Sequence, residues 1–124
     1  MKKAIATSAA PGAIGPYSQA ISTGSLLFVS GQIPVNPETG EIPEGISAQA
    51  AQSLKNLSAI LEASGLSTAN VVKTTVFLAD MADFAAMNAE YAKAFDEPFP
   101  ARSAVAVRDL PKGVLVEIEA IAAY

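Results

Sequence analysis

The chain has 124 residues, 51% of them hydrophobic and 16% charged, and a net charge of −4 at pH 7. That length suits one domain over residues 1–124. The apolar content, much of it alanine, exceeds what one small core needs, so a homo-oligomer is expected. With neither His nor Cys, disulfides, thiolate catalysis, Ser-His triads and nearly all zinc or transition-metal sites are excluded, and an acidic chain with scattered Lys and Arg lacks the footprint of a nucleic-acid binder.

Lys3 to Thr7 reads as a short edge strand. In SAAPGAIGPYSQ, which follows, Pro11, Gly12, Gly15 and Pro16 forbid regular structure. Tyr17 to Ser22 and Leu26 to Ile33 read as strands around the turn Thr23-Gly24-Ser25. PVNPETGEIPEG is a loop with a turn at Glu38-Thr39-Gly40. Ser47 to Ser64 reads as a helix: Ser47 suits the N-cap, Gly65 suits the position after the C-cap, and Ala50, Leu54, Leu57 and Leu61 form the apolar stripe, with Lys55 and Glu62 off it. Val71 to Ala79 is a strand by its β-branched content.

Asp80 is placed to cap a second helix, with Asp83 in the first turn. Phe84, Asn88, Tyr91 and Phe95 share one face of it, and Pro98 and Pro100 end it. Ser103 to Arg108 and Val114 to Ala122 are the last strands. The order β-β-β-α-β-α-β-β predicts an α+β fold. Two helices can cover only one face of the sheet. The other face is expected to pack against further copies of the chain. The apolar stretch at the N-terminus is broken by Thr7, Ser8 and Pro11, and no run is long enough to span a membrane, so a cytoplasmic protein without membrane partners is expected.

Without His or Cys, a general base near neutral pH is a carboxylate or a desolvated Lys. Arg102, one of only two arginines, opens the strand RSAVAV. Residues 102, 104, 106 and 108 share a face, and Ser103, Val105 and Val107 on the other read as the core side. Arg102 over small side chains is a seat for a carboxylate, which guanidinium grips with two parallel hydrogen bonds. The competing reading is an ion pair with Asp96 or Glu97. In VLVEIEAIAA, Glu117 and Glu119 share a face with Leu115 and Ile121. Partial burial would raise a carboxyl pKa there and suit it to activating water, with Glu117 the deeper of the two. Asn88, within an aromatic stripe, needs partners: a loop or a ligand. Ser30-Gly31 at a strand end and Tyr17 after a rigid turn are further candidates for contact with a ligand. No nucleotide-cofactor motif occurs.

The segments IGPYSQA, FVSGQIPVNPETGEI, QSLKNLSAILEASG, VVKTTVFLADMADFAAMN, PARSAVAV and LPKGVLVEIEAIA, in this order from Ile5 to Ala122, resemble the RidA (YjgF) family of reactive intermediate deaminases. The resemblance implies a bacillus chorismate mutase-like fold: a mixed sheet with two helices on one face. It also implies a homotrimer whose sheets form a central barrel with clefts between subunits. The implied activity is cofactor-free hydrolysis of 2-iminobutanoate and 2-iminopropanoate, supplied by PLP-dependent dehydratases, to 2-oxo acids and ammonia. By this resemblance Arg102 holds the substrate carboxylate. Glu117 and the backbone carbonyl of Ala104 position water, and Tyr17, Ser30, Gly31 and Asn88 line the cleft. Two features depart from the family pattern: Ala104 stands where many members carry Cys, and FDEPFPAR is short. The alternatives are a non-catalytic binder of small 2-oxo carboxylates, RNA cleavage or translation inhibition (which the negative charge opposes), and chorismate mutase by analogy of fold alone.

Overall fold

The chain opens with three strands: β1 (Lys3–Ile5), β2 (Ala20–Ser22) and β3 (Leu26–Gln32). The computed structural model, which describes residues 2–124, joins them in one sheet to β4 (Val71–Leu78), β5 (Ala101–Ala106) and β6 (Val116–Ala123). The strand order is β1-β2-β3-β6-β4-β5. All neighbours are antiparallel except β4 and β5, which run parallel. A parallel pair cannot close through a tight turn, and here α2 (Phe84–Ala94) makes the crossover, while α1 (Ile46–Ala63) carries the chain from β3 to β4. The predicted order of elements is the observed one, and β1 is an edge strand as expected.

Several ends differ from expectation. Tyr17 lies outside β2, because Gly15 and Pro16 keep the chain turning until Gln19. α1 begins at Ile46 after Gly45, whose φ of 86° only glycine adopts readily, so Ser47 is an exposed helical residue and not the cap. Asp80 accepts from the Ala82 N–H at 2.8 Å, but the turn it caps is a single 3₁₀ turn (Met81–Asp83) that leads into α2.

One sheet face is covered by the helices. Ala50, Leu54, Leu57 and Leu61 are buried there, as their spacing predicts, with Val76, Ile118 and Ala122 in the same core. Three polar residues of α1, Gln49, Ser53 and Asn56, are buried too. Two of them tie loops to the helix. Asn56 Nδ2 donates to the carbonyls of Ile33 (3.2 Å) and Val35 (2.9 Å). Gln49 Oε1 accepts from the Leu115 N–H at 2.8 Å, and its Nε2 donates to the Pro43 carbonyl at 3.0 Å. Buried backbone carbonyls require such partners, so Asn56 fixes the segment that follows β3.

The opposite face carries no helix. Cross-strand register sets Ile21, Phe28, Ile121 and Lys73 in one row, Glu119 and Thr75 in another, and Glu117, Phe77 and Val105 in a third. Phe28, in the middle of this face, and Val105, on the edge strand β5, are 42% and 46% exposed, a large apolar exposure for one sheet face. The position of Val105 also corrects the reading of β5. Arg102 pairs with fully buried Thr74, so alternation places Arg102 and Ala104 on the helix side and Ser103 and Val105 on the uncovered side. No helix among the described residues is long and apolar enough to cross a membrane.

Candidate active site

The candidate residues fall into two groups on opposite faces of the sheet. The first gathers where β3 meets β6. The ladder slips between Val29 and Gln32, and Gly31 occupies the irregularity. Its Cα lies so close to the Glu117 carboxylate that a methyl group in place of hydrogen would overlap Glu117 Oε2. A larger residue here would have to displace the Glu117 side chain, so glycine is favoured by contact and not by its torsion angles.

The Ser30 hydroxyl donates to the Ser18 carbonyl at 2.7 Å, and the Ser30 N–H donates to the Gln19 carbonyl at 2.9 Å. These bonds draw the GPYSQ segment along β3. Gln19 then anchors the preceding loop, accepting from the Thr7 N–H at 2.7 Å and donating to the Pro11 carbonyl at 2.7 Å. Tyr17, half-exposed, follows a tight turn closed by its own N–H on the Gly15 carbonyl. The result is a cavity of about 720 Å³ whose walls include Ile14, Tyr17, Ser30, Gly31, Lys112 and Glu117. Lys112 stands at its wall with φ 56°, an uncommon conformation for a residue with a side chain.

Glu117 is half-buried and Glu119 exposed, as their neighbours in sequence predict. Loss of hydration pushes the Glu117 carboxyl above the ordinary carboxylate range, and repulsion from Glu119 pushes it the same way. A carboxylate so placed is a better proton acceptor than one in water and can still hold a water molecule.

The second group surrounds Arg102 under α2. The guanidinium Cζ lies over the Tyr91 ring, 4.7 Å from its centroid, and 5.4 Å from the centroid of Phe84. Nη1 donates to Asn88 Oδ1 at 2.7 Å. The ion pair with Asp96 or Glu97, the competing reading, does not form: the ion pairs among the described residues are Lys93–Glu90 and Arg108–Asp109. Nor is the seat a floor of small side chains. Two aromatic rings and an amide hold the charge, because α2 crosses the β5 face that Arg102 occupies.

Asn88 thus partners the arginine, and its side chain holds no loop among the described residues. Ala104 sits one row further along the same strand and packs against the core. The Val107 N–H donates to the Leu78 carbonyl, so strand alternation turns the Ala104 carbonyl to the unpaired outer edge of the sheet.

Phe84, Tyr91 and Thr74 belong to this group and were legible only as core. The spacing of Phe84, Asn88 and Tyr91 on one helix face was visible in the sequence, but nothing local showed that Arg102 would lie over it.

The two groups cannot meet within one chain. From β3 to β5 there are three strand-to-strand steps, roughly 14 Å, and the sheet itself separates Arg102 from Glu117. Neither Arg102 nor Asn88 forms part of the cavity wall.

Residues 7–124 match the family described as Endoribonuclease L-PSP. The chain is 57% identical to the 2-iminobutanoate/2-iminopropanoate deaminase of Escherichia coli K12 over 98% of each chain. Among solved structures it is similar to the YjgF gene product of E. coli, with 56% identity, a TM-score of 0.94 and 98% coverage of both chains. It is also similar to E. coli TdcF with bound serine, with 53% identity, a TM-score of 0.95 and 98% coverage of both.

Proposed function

The chain belongs to the RidA (YjgF) family, and we propose that it hydrolyses 2-imino acids such as 2-iminobutanoate and 2-iminopropanoate to 2-oxo acids and ammonia, the activity for which its 57%-identical relative is named. The observation that carries this reading is Arg102: a half-buried cation with no carboxylate partner among the described residues, held over the Tyr91 ring with donors to spare. Such a group is built to receive a carboxylate from outside the chain.

The two halves of the site meet when copies associate. A homotrimer that packs the uncovered sheet faces together would bury Phe28 and Val105 and bring the Arg102 edge of one copy to the Glu117 cavity of the next. The substrate carboxylate then rests on Arg102. Glu117 and the outward carbonyl of Ala104 hold a water molecule against the C=N carbon. Attack forms the C–O bond and sends the C=N electron pair to nitrogen. Glu117 passes the proton taken from water to nitrogen, and the C–N bond then breaks as the hydroxyl proton is lost to the departing nitrogen, giving ammonia and the 2-oxo acid. The imine carbon is already electrophilic, so positioning does most of what a strong base would otherwise do. A PLP-dependent dehydratase is the source of imine this reading calls for.

In steady-state assays with such a dehydratase generating the imine, the protein should accelerate ammonia release. Tight 2-oxobutanoate binding without acceleration would favour a carboxylate-binding protein instead. RNA cleavage, which the family's description names, is disfavoured by charge: a trimer would carry about −12 and repel phosphates.

Gly31→Ala tests the Glu117 half. The added methyl must displace the Glu117 carboxylate, so turnover should fall about tenfold or more while the trimer persists, since misplacing a catalytic group by an ångström can cost on the order of a hundredfold. Full turnover in this variant would place water activation away from Glu117.

A further inference from the structure

The Arg102 charge rests on a tyrosine whose position is itself fixed. The Tyr91 hydroxyl and the Thr74 hydroxyl are 2.7 Å apart, both buried, and Thr74 is the residue paired with Arg102 in the β4–β5 ladder. The Tyr91 ring also packs against Phe95, with centroids 4.6 Å apart and a 40° tilt. Strand, helix and ring are therefore locked to one another directly beneath the guanidinium. Asn88 takes Nη1, and Nε and Nη2 make none of the hydrogen bonds seen among the described residues.

Burial keeps the Tyr91 hydroxyl above its ordinary pKa, against the opposing pull of Thr74 and Arg102. The ring thus meets the cation as a neutral π surface and not as a phenolate.

We infer that Tyr91 is a positioning residue for Arg102: its ring, pinned by Thr74 and Phe95, is the platform that keeps the guanidinium flat, with Asn88 on one donor and the rest free for the substrate's carboxylate. The value of this platform to catalysis rests on the proposed role of Arg102; the platform itself does not. A long arginine side chain on an edge strand loses much rotamer freedom when it binds an anion. Stacking on a fixed ring removes that freedom beforehand.

The test exploits the arginine count. The chain has two arginines, and the side chain of Arg108 is 97% exposed, so ¹⁵N relaxation at arginine Nε reads Arg102 against a built-in mobile control. The variants are Tyr91→Phe, which keeps the ring, pentafluorophenylalanine at position 91, which keeps the shape but reverses the ring's polarity, and Tyr91→Leu.

Tyr91→Phe loses the Thr74 bond but keeps the ring and its packing on Phe95, so Arg102 Nε should loosen only slightly in it and become mobile in the other two. 2-Oxobutanoate affinity by calorimetry should change less than about threefold in the first and fall about tenfold in the others. If Tyr91→Leu fails to fold, the fluorinated variant carries the comparison. Arg102 order and 2-oxobutanoate affinity that are indifferent to the fluorinated ring would overturn the inference. If Nε order tracks position 91 but the unmodified protein does not bind 2-oxobutanoate, the positioning stands and the functional reading falls.

Discussion

Arg102→Ala is expected to lower imine hydrolysis about a hundredfold or more while leaving the fold intact. The loss is of a two-point, charge-assisted contact made in a half-dry site, and removing one partner of such a pair costs about 2–5 kcal/mol. Arg102→Lys should recover little. A lysine keeps the charge, but it cannot span Asn88 and a carboxylate at once, and its compact ammonium stacks less well on Tyr91. Arg108→Ala is the control: its side chain is exposed, 4.0 Å from Asp109, and turnover should not change. Turnover of Arg102→Ala close to that of the unmodified protein would remove the anchor from the mechanism.

Glu117→Gln is expected to lower turnover on the order of a hundredfold, the usual share of a positioned acid or base. The amide keeps the shape beside Gly31 and loses the basic oxygen. The pH profile gives a second readout. Glu117 must be ionised to accept a proton from water, and its pKa lies above the ordinary carboxylate range. Activity should therefore fall on the acid side at a pH above that of an exposed carboxylate. Glu119→Gln removes the like charge, lowers the Glu117 pKa and should move that acid limb to lower pH.

The same shift affects stability. A carboxyl whose pKa is raised by folding favours the native state when protonated and opposes it when ionised. Glu117→Gln should thus raise Tm at neutral pH, and the gain should shrink as pH falls through the raised folded-state pKa and vanish below about 4, where folded and unfolded chains both carry the proton. A stability gain paired with an activity loss is the mark of a residue retained for chemistry.

The order of strands and helices could be read because each element carries its own period. Leu54, Leu57 and Leu61 mark a helix face by their spacing, and VVKTTVFL marks a strand by its β-branched content. The greater depth of Glu117 was expected from the valine and isoleucine beside it, but its close neighbour on its own face, Gly31, comes from β3 and not from the local sequence. β5 was misread because RSAVAV offers small or apolar residues on both faces, so alternation alone gives no direction. The direction comes from Thr74, a partner 28 positions upstream in the ladder. The buried Gln49 and Asn56 were missed for a similar reason: whether a polar helical residue faces in depends on which loop carbonyls await it. The division of the site into two halves was not visible in any motif. It follows from β6 inserting between β3 and β4, a non-local pairing that sets Ser30 and Gly31 beside Glu117 and leaves Arg102 at the far edge.

The most direct test mixes two disabled proteins. Arg102→Ala and Glu117→Gln, each expected to keep about a hundredth of the turnover or less, are unfolded together in equal amounts and refolded so that copies assort at random. If Arg102 of one copy completes the Glu117 cavity of another, each interface has one chance in four of receiving both intact residues, and the mixture should regain about a quarter of the unmodified turnover. A mixture that stays as inactive as its components, despite forming mixed oligomers, would contradict a site shared between copies.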